Sequence, residues 1–221
     1  MARSGYFHGD LRRALLDAGF DVARAGGPDA VSLRELARIV GVSPSAVYRH
    51  FDDHEQLVSA LAQRAQALVA DAMEERMAMV APGTASAEDR RRWADGQLAA
   101  VGLAYMESAW REPGLFRLAF RAHRNLDAAH DPDARGACGR TPYEQLERAL
   151  DELEAAGELS AAARPGAEAL AWSAVHGFAT LTLDGPLRSI DAETRDHLAW
   201  RVVEMARRGL AQGDAVGSAG D

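Results

Sequence analysis

The sequence contains no lysine: all 25 of its basic residues are arginine. That excludes the lysine of a phosphate-binding P-loop and any lysine Schiff base. A coding bias towards arginine and alanine is the plain reading of so complete a replacement. A single cysteine, Cys138, excludes an internal disulfide and a cysteine-based metal cluster. No run of about 18 apolar residues occurs, so no membrane span is expected. The opening M-A-R-S-G-Y-F-H-G-D lacks the apolar core of a signal peptide, and the protein is expected in the cytoplasm. Runs of β-branched residues are scarce and no internal repeat is present. With 48% hydrophobic residues over 221 positions, the chain can bury a sizeable core, and the expected fold class is all-α.

The net charge is −8, of which residues 1–60 carry only −1. A net-acidic chain is a poor non-specific binder of polyanions. Any nucleic-acid binding must therefore rest on a few well-placed arginines and neutral donors.

What is present is a strong motif from Val31 to Leu57. Ser32 and Glu35 form an S-x-x-E capping box, after which Leu33, Leu36, Ala37 and Val40 recur at helical spacing. Gly41 suits a left-handed stop. Ser43 suits a cap for the next helix, with Pro44 at its first position, and Val47 and Phe51 as inward anchors. Two short helices joined by a tight turn are the pattern of a DNA-binding helix-turn-helix.

Around this motif the periodicity predicts about nine helices. Residues 1–7 read as disordered. Gly9-Asp10 opens a helix with Leu11, Leu15, Ala18 and Val22 on one face and Leu16, Phe20 and Ala23 beside it. Gly26-Gly27-Pro28 ends that helix. Asp52 or Asp53 caps a helix from about His54 to Val80, about 40 Å long, with Leu57, Leu61, Leu68 and Ala72 inward. Ala81-Pro82-Gly83-Thr84 breaks it. Further helices run from about Ala87 to Trp110, over L-F-R-L-A-F-R, from Pro142 to Glu154, from Gly166 to Leu183, and from Asp191 onward. Residues 125–140 read as a long polar loop of a length that suggests mobility or a lid. The expected organisation is a helix-turn-helix head at 1–53, a larger helical body at 54–212, and a disordered tail at 213–221.

At this point the sequence resembles the TetR family of bacterial transcriptional regulators. The resemblance is carried by Y-F-H-G-D-L-R-R-A-L-L at 6–16, S-L-R-E-L-A at 32–37 and G-V-S-P-S-A-V-Y-R-H-F at 41–51. E-P-G-L-F-R-L-A-F at 112–120 and A-W-S-A-V-H-G-F-A-T-L at 171–181 agree less specifically. The last looks like the Trp-His-Gly signature of one subgroup's ligand-binding domain. The resemblance implies a homodimer whose helical body binds a small-molecule effector and controls affinity for double-stranded operator DNA. In one departure, relatives usually place a phosphate-holding lysine where the long helix starts, and here the residue is His54.

A helix in the major groove reads bases with side chains near its N-terminus. The expected DNA-facing set is Ser43, Ser45, Ala46, Tyr48, Arg49 and His50. Arg49 is the guanine reader, Tyr48 and His50 stand towards phosphate, Ser32 and Arg34 clasp the backbone at the start of the previous helix, and His54 occupies the place of the usual phosphate-holding lysine. For Arg34, Arg38 and Arg49 the alternative is an ordinary solvated charge, and Arg12 and Arg13 read as surface residues. The expected effector pocket is lined by Trp93, Tyr105, Met106, Trp110, Phe116, Phe120, Trp172, His176 and Phe178, although any single aromatic is more often core. The resemblance assigns dimerisation to the last two helices. There Leu170, Ala174, Gly177 and Leu181 form one strip and Leu198, Val202 and Met205 another, with burial in the monomer core as the alternative.

No cofactor and no metal are expected: His123, His130, Asp127 and Asp131 lack a recognised ligand spacing. Cys138 is a lone thiol and reads as inert. No nucleophile–base–acid set appears, so an enzyme is not expected. The leading reading is a repressor released from a palindromic operator by an apolar or aromatic ligand. In it, ligand shifts the short helix near Phe116 and tilts the long one. The competing reading is a helical small-molecule sensor or protein-interaction module with a degenerate DNA-binding head.

Overall fold

The computed structural model describes residues 6–82, 86–121 and 129–212, with residues 6–10 described by backbone alone. The expected tail at 213–221 lies outside them. Among the described residues there are nine α-helices and no strand. Helix α1 (Tyr6–Gly26) starts ahead of the expected Gly9-Asp10, so Tyr6 and Phe7 belong to a helix and not to a disordered end.

Helix α2 (Leu33–Val40) opens at Ser32, whose Oγ accepts from the Glu35 N–H at 3.2 Å. The Glu35 carboxylate does not reach back to complete the box. It holds Arg38 at 2.6 Å instead. The complete capping box is at Thr141 and Glu144, where the sequence had not suggested one. Gly41 ends α2 at φ 75°, a conformation that favours glycine. Helix α3 (Pro44–Val47) is short, and the chain continues in turns through His50. Ser43 occupies the cap position without bonding a backbone N–H. Its hydroxyl meets Ser45 Oγ at 3.0 Å instead. Val47 and Phe51 are fully buried, as anchors should be.

Helix α4 (His54–Ala78) is capped by Asp53, which accepts from the Gln56 N–H at 2.7 Å. Its buried positions include Leu57, Leu61, Ala65, Val69, Met73 and Met77, a strict spacing of four. Each such step advances about 40° around a helix, so the stripe winds through about 200° along α4. That winding lets one helix serve two cores. It also explains why Leu68, expected inward, is 43% exposed: it lies beside the stripe.

The first core joins α1, α2, Val47, Phe51 and the first half of α4. It also takes Leu115, Leu118 and Ala119 from helix α6 (Pro113–Arg121). The second core joins the second half of α4 to helices α5 (Ala87–Arg111), α7 (Pro142–Ala155), α8 (Ala167–Leu183) and α9 (Ala192–Ala211). The described part of the loop expected to be mobile is a pinned strap. Asp131 accepts from Gln63 Nε2 at 2.7 Å, the Ala137 N–H donates to Asp71 Oδ1 at 2.7 Å, and Ala134 is fully buried. Its polar side chains look free in sequence because their partners lie on α4.

The ion pairs of α9 predict an acid limb of stability. Hydrogen bonds from Arg207 and Arg208 pull the Glu204 carboxyl down from 4.5 to about 2. A depressed carboxylate stabilises the fold fully above its ordinary value, and that contribution is lost as pH falls towards about 2. Burial pushes the Asp95 carboxyl up against the pull of Arg207, which offsets part of the effect. Glu204 is 35% exposed, so the pair is worth at most about 1 kcal/mol. Glu204→Gln should lower the urea midpoint slightly at neutral pH and flatten its decline in acid. An unchanged acid limb would remove Glu204 from it.

Candidate nucleic-acid interface and apolar cavity

Half of the described arginines of the head are paired with carboxylates. Arg13 pairs with Asp17, Arg24 with Asp21 and Glu112, and Arg38 with Glu35. Arg34 and Arg49 are exposed and have no acidic partner among the described residues. Both stand on the helix-turn-helix, Arg34 in the first turn of α2 and Arg49 just after α3. Tyr48 beside Arg49 is 52% exposed. Ser32, Ser43 and Ser45 are exposed, while Ala46 and His50 are half-buried. A third cation, Arg12, reads in the sequence as a surface residue. The Arg12 guanidinium lies 5.0 Å over the Phe51 ring, held by the ring's quadrupole and not by a carboxylate.

His54 is committed elsewhere. Its Nε2 lies 2.9 Å from the Val31 carbonyl. A carbonyl only accepts, so Nε2 carries the hydrogen and is engaged within the head. The histidine therefore fastens the start of α4 to the entry of α2. It is no simple replacement for a phosphate-holding lysine.

The body contains a cavity between α4, α5, α7, α8 and α9. It holds about 710 Å³ of atom-free space with its open mouth included, of which the centre of a water molecule reaches only about 60 Å³, so its walls stand close together. Tyr105, Phe120 and Trp172 from the expected set line it, joined by Gln66 and Tyr143. The remaining wall is aliphatic, including Met73, Leu98, Val101 and Val175. Phe116 packs behind the wall against Phe120, with ring centroids 4.8 Å apart and the rings tilted. Met106 is fully buried in the core, Trp93 packs on that core, and Trp110 donates to Thr182 Oγ1 at 2.9 Å with Phe178 against it. These four do not line the cavity, nor does His176. An aromatic side chain on an amphipathic helix does not reveal which of two packed neighbours it meets, and this separates the two groups.

Trp172 and His176, one turn apart on α8, are joined through a residue of another helix. Trp172 Nε1 donates to the Tyr105 hydroxyl at 3.0 Å, and that hydroxyl lies 2.7 Å from His176 Nδ1. Burial pushes the Tyr105 phenol well above its ordinary value and the His176 imidazole below its own. Both are therefore neutral at physiological pH.

Helix α6 touches both regions. Phe120 lines the cavity while Leu115, Leu118 and Ala119 enter the head core. Gln66, in the cavity wall, donates to the Ala119 carbonyl at 2.8 Å. Arg121 pairs with Asp29 of the head, and Arg117 with Asp184 at the end of α8 at 2.5 Å.

Residues 15–61 match the model described as bacterial regulatory proteins, tetR family, and residues 98–206 match the tetracyclin repressor-like C-terminal domain. The two matches together span well over half of the chain. The chain belongs to the TetR family of bacterial regulatory proteins. Solved structures agree on the fold. A protein of unknown function from Rhodococcus sp. RHA1 is 28% identical, with a TM-score of 0.69 over 95% of this chain and 100% of that one. A bacterial regulatory protein in the tetR family from Rhodococcus RHA1 is 20% identical, with a TM-score of 0.56 over 90% of this chain and 96% of that one. A TetR family transcription regulator from Marinobacter aquaeolei VT8 is 23% identical, with a TM-score of 0.52 over 90% of this chain and 95% of that one.

As a TetR-family protein the chain is a DNA-binding transcriptional regulator. Its last two helices leave apolar surface uncovered. On α8, Leu170 is 64% and Leu181 43% exposed; Ala174 and Gly177 lie between them, and a Cβ at Gly177 would meet nothing within 4 Å. On α9, Met205 is 61% exposed, whereas Leu198 and Val202 are half-buried against the monomer core. Trp200, 56% exposed on another side of α9, had no place in the sequence-derived strip.

Among the described residues no group of three His, Cys, Asp or Glu side chains is placed to hold a metal. His130 faces Glu147 at 3.0 Å, while His123 and Asp127 lie outside the described residues. Cys138 accepts from Gln145 Nε2 at 2.9 Å. No helix among the described residues is long and apolar enough to cross a membrane.

Proposed function

We propose that this regulator is a homodimeric repressor, released from a palindromic operator when a small apolar or aromatic effector enters the cavity. The observation that carries the proposal is the double seat of α6, with Phe120 at the cavity and Leu115, Leu118 and Ala119 in the head core. A ligand that moves Phe120 moves the helix on which the head rests. A hundredfold fall in operator affinity requires the ligand to favour the non-operator state by about 2.8 kcal/mol. The unpaired Arg34 and Arg49 support DNA recognition by the head, Arg49 reading bases and Arg34 holding phosphate. The uncovered strip of Leu170, Ala174, Gly177 and Leu181, with Met205 on α9, supports dimerisation through these helices. Trp172, His176 and Gly177 support placing the body in the Trp-His-Gly subgroup.

Selection from random DNA with the purified protein tests this reading. An enriched palindrome is expected, with half-sites about one helical turn apart. Leu170→Glu should yield a monomer in sedimentation and lose the preference for paired half-sites. Failure to enrich any palindrome would favour the sensor with a degenerate head. A ligand that fills the cavity without weakening operator binding would sink the release mechanism.

A further inference from the structure

We propose that the cavity selects an electrically neutral, flat or slender molecule carrying one hydroxyl or carbonyl group, which the Tyr105 hydroxyl reads. This rests on the cavity being the effector site of the regulator proposed above.

The body of the ligand follows from the wall, which is aliphatic and aromatic and closely spaced. Its polar group follows from the relay in that wall. Indole N–H only donates, so the Tyr105 oxygen accepts from Trp172, leaving its own hydrogen and one lone pair. His176 Nδ1, 2.7 Å away, settles which of these remains. With Nδ1 bare it takes the tyrosine hydrogen and the lone pair faces outward. With Nδ1 protonated it donates to the oxygen and the hydrogen is released to a ligand. A tautomer change in one neutral imidazole thus lets Tyr105 accept from a ligand hydroxyl or donate to a carbonyl.

Charge is disfavoured on both counts. No Asp, Glu or Arg lines the cavity, so a cation or an anion enters without a counter-charge. His176 offers no cation because burial keeps its ring neutral. At the mouth, burial raises the Tyr143 phenol and the carboxylates of Glu168 and Glu147 raise it further, against the opposing pull of Arg164.

Four probes of similar size separate the possibilities: 2-naphthol, naphthalene, 2-naphthoate and N-methylquinolinium. Binding is followed by quenching of tryptophan fluorescence and by thermal shift of the intact protein. 2-Naphthol is expected to bind about tenfold more tightly than naphthalene, the worth of one hydrogen bond, and both ions more weakly than naphthalene. Tyr105→Phe should abolish the preference for naphthol and leave naphthalene unchanged. Because that variant also strands the Trp172 N–H, His176→Phe is a second check. It leaves the Tyr105 hydrogen without an acceptor and should raise affinity for the acceptor-only 2-acetylnaphthalene. Either ion binding as tightly as naphthol overturns the proposal, as does a naphthol preference that survives Tyr105→Phe, or a fall in acetylnaphthalene affinity in His176→Phe. In all of these the effector site itself stands. Binding of none of the probes overturns both the proposal and the effector site beneath it.

Discussion

Gly114→Ala is expected to lower the melting temperature by about 2–12 °C and to uncouple the head from the cavity. Gly114 begins α6 against the last turn of α1. A Cβ placed there would stand 2.2 Å from the Ala23 carbonyl oxygen and 2.6 Å from that of Arg24. Both are backbone atoms of a helix packed into the head core, so neither can swing aside as a flexible side chain would. Overpacking of this kind costs about 1–3 kcal/mol, and for a chain of this size each kcal/mol moves the midpoint by roughly 2–4 °C. The strain falls where the N-terminal peptide dipoles of α6 face the C-terminal carbonyls of α1, an arrangement in which opposite partial charges meet. The Arg24–Glu112 pair at 3.1 Å spans the same junction but is half exposed and too weak to hold it alone. Leu118→Ala is the control: it opens a hole in the head core and costs about 2–5 kcal/mol without obstructing the junction. Both variants should be destabilised. Only Gly114→Ala should bind ligand with operator affinity little changed, in a titration of operator binding against ligand. An unaltered melting temperature and an intact ligand response would mean that the α1–α6 junction is not the coupling point.

The helix-turn-helix was legible because its information is local. A cap, a small residue, a left-handed glycine and two apolar anchors follow one another within twenty residues, and Ser32, Gly41, Val47 and Phe51 take the positions their chemistry suggests. The starts of two long helices were legible for the same reason, with Asp53 and Asp191 each capping the helix that follows. What depends on distant partners was not. Leu68 and Val69 are alike on a hydropathy profile, and only the drift of the α4 stripe between two cores decides which is inside. The strap at 129–141 reads as polar and loose because Gln63 and Asp71, which hold it, lie 68 and 66 residues before their partners.

The cavity shows the same division. That Trp172 and His176 share a face of α8 follows from their spacing. That Tyr105 joins them, and that Phe116 stands behind Phe120 and not in the wall, follows from the crossing of three helices that no local pattern records. Arg34 and Arg49, like the exposed Arg111, Arg140, Arg188 and Arg201 of the body, have no acidic partner among the described residues, and they alone of these stand on the motif that the sequence had already marked.

That contrast gives the second large effect. Arg49→Ala is expected to abolish selective operator binding, with a loss of about 1–3 kcal/mol for each half-site in which the guanidinium grips a guanine. A two-fold symmetric complex contains two such sites and would lose roughly double that. The exposed Arg49 side chain has no competing carboxylate among the described residues, so docking on DNA breaks no existing ion pair. Arg38, by contrast, would have to leave Glu35, which it holds at 2.6 Å. Arg34→Ala should behave differently from Arg49→Ala. A lost phosphate contact weakens binding to all sequences alike and reduces the slope of affinity against salt by about one per contact. A lost base contact reduces discrimination between operator and random DNA and leaves the salt slope nearly as it was. Titrations of both variants on selected and scrambled DNA at several salt concentrations separate the two roles. If Arg49→Ala lowered the salt slope and kept its discrimination, Arg49 would be a phosphate clamp, and base reading would pass to Tyr48 or to the serines at the start of α3.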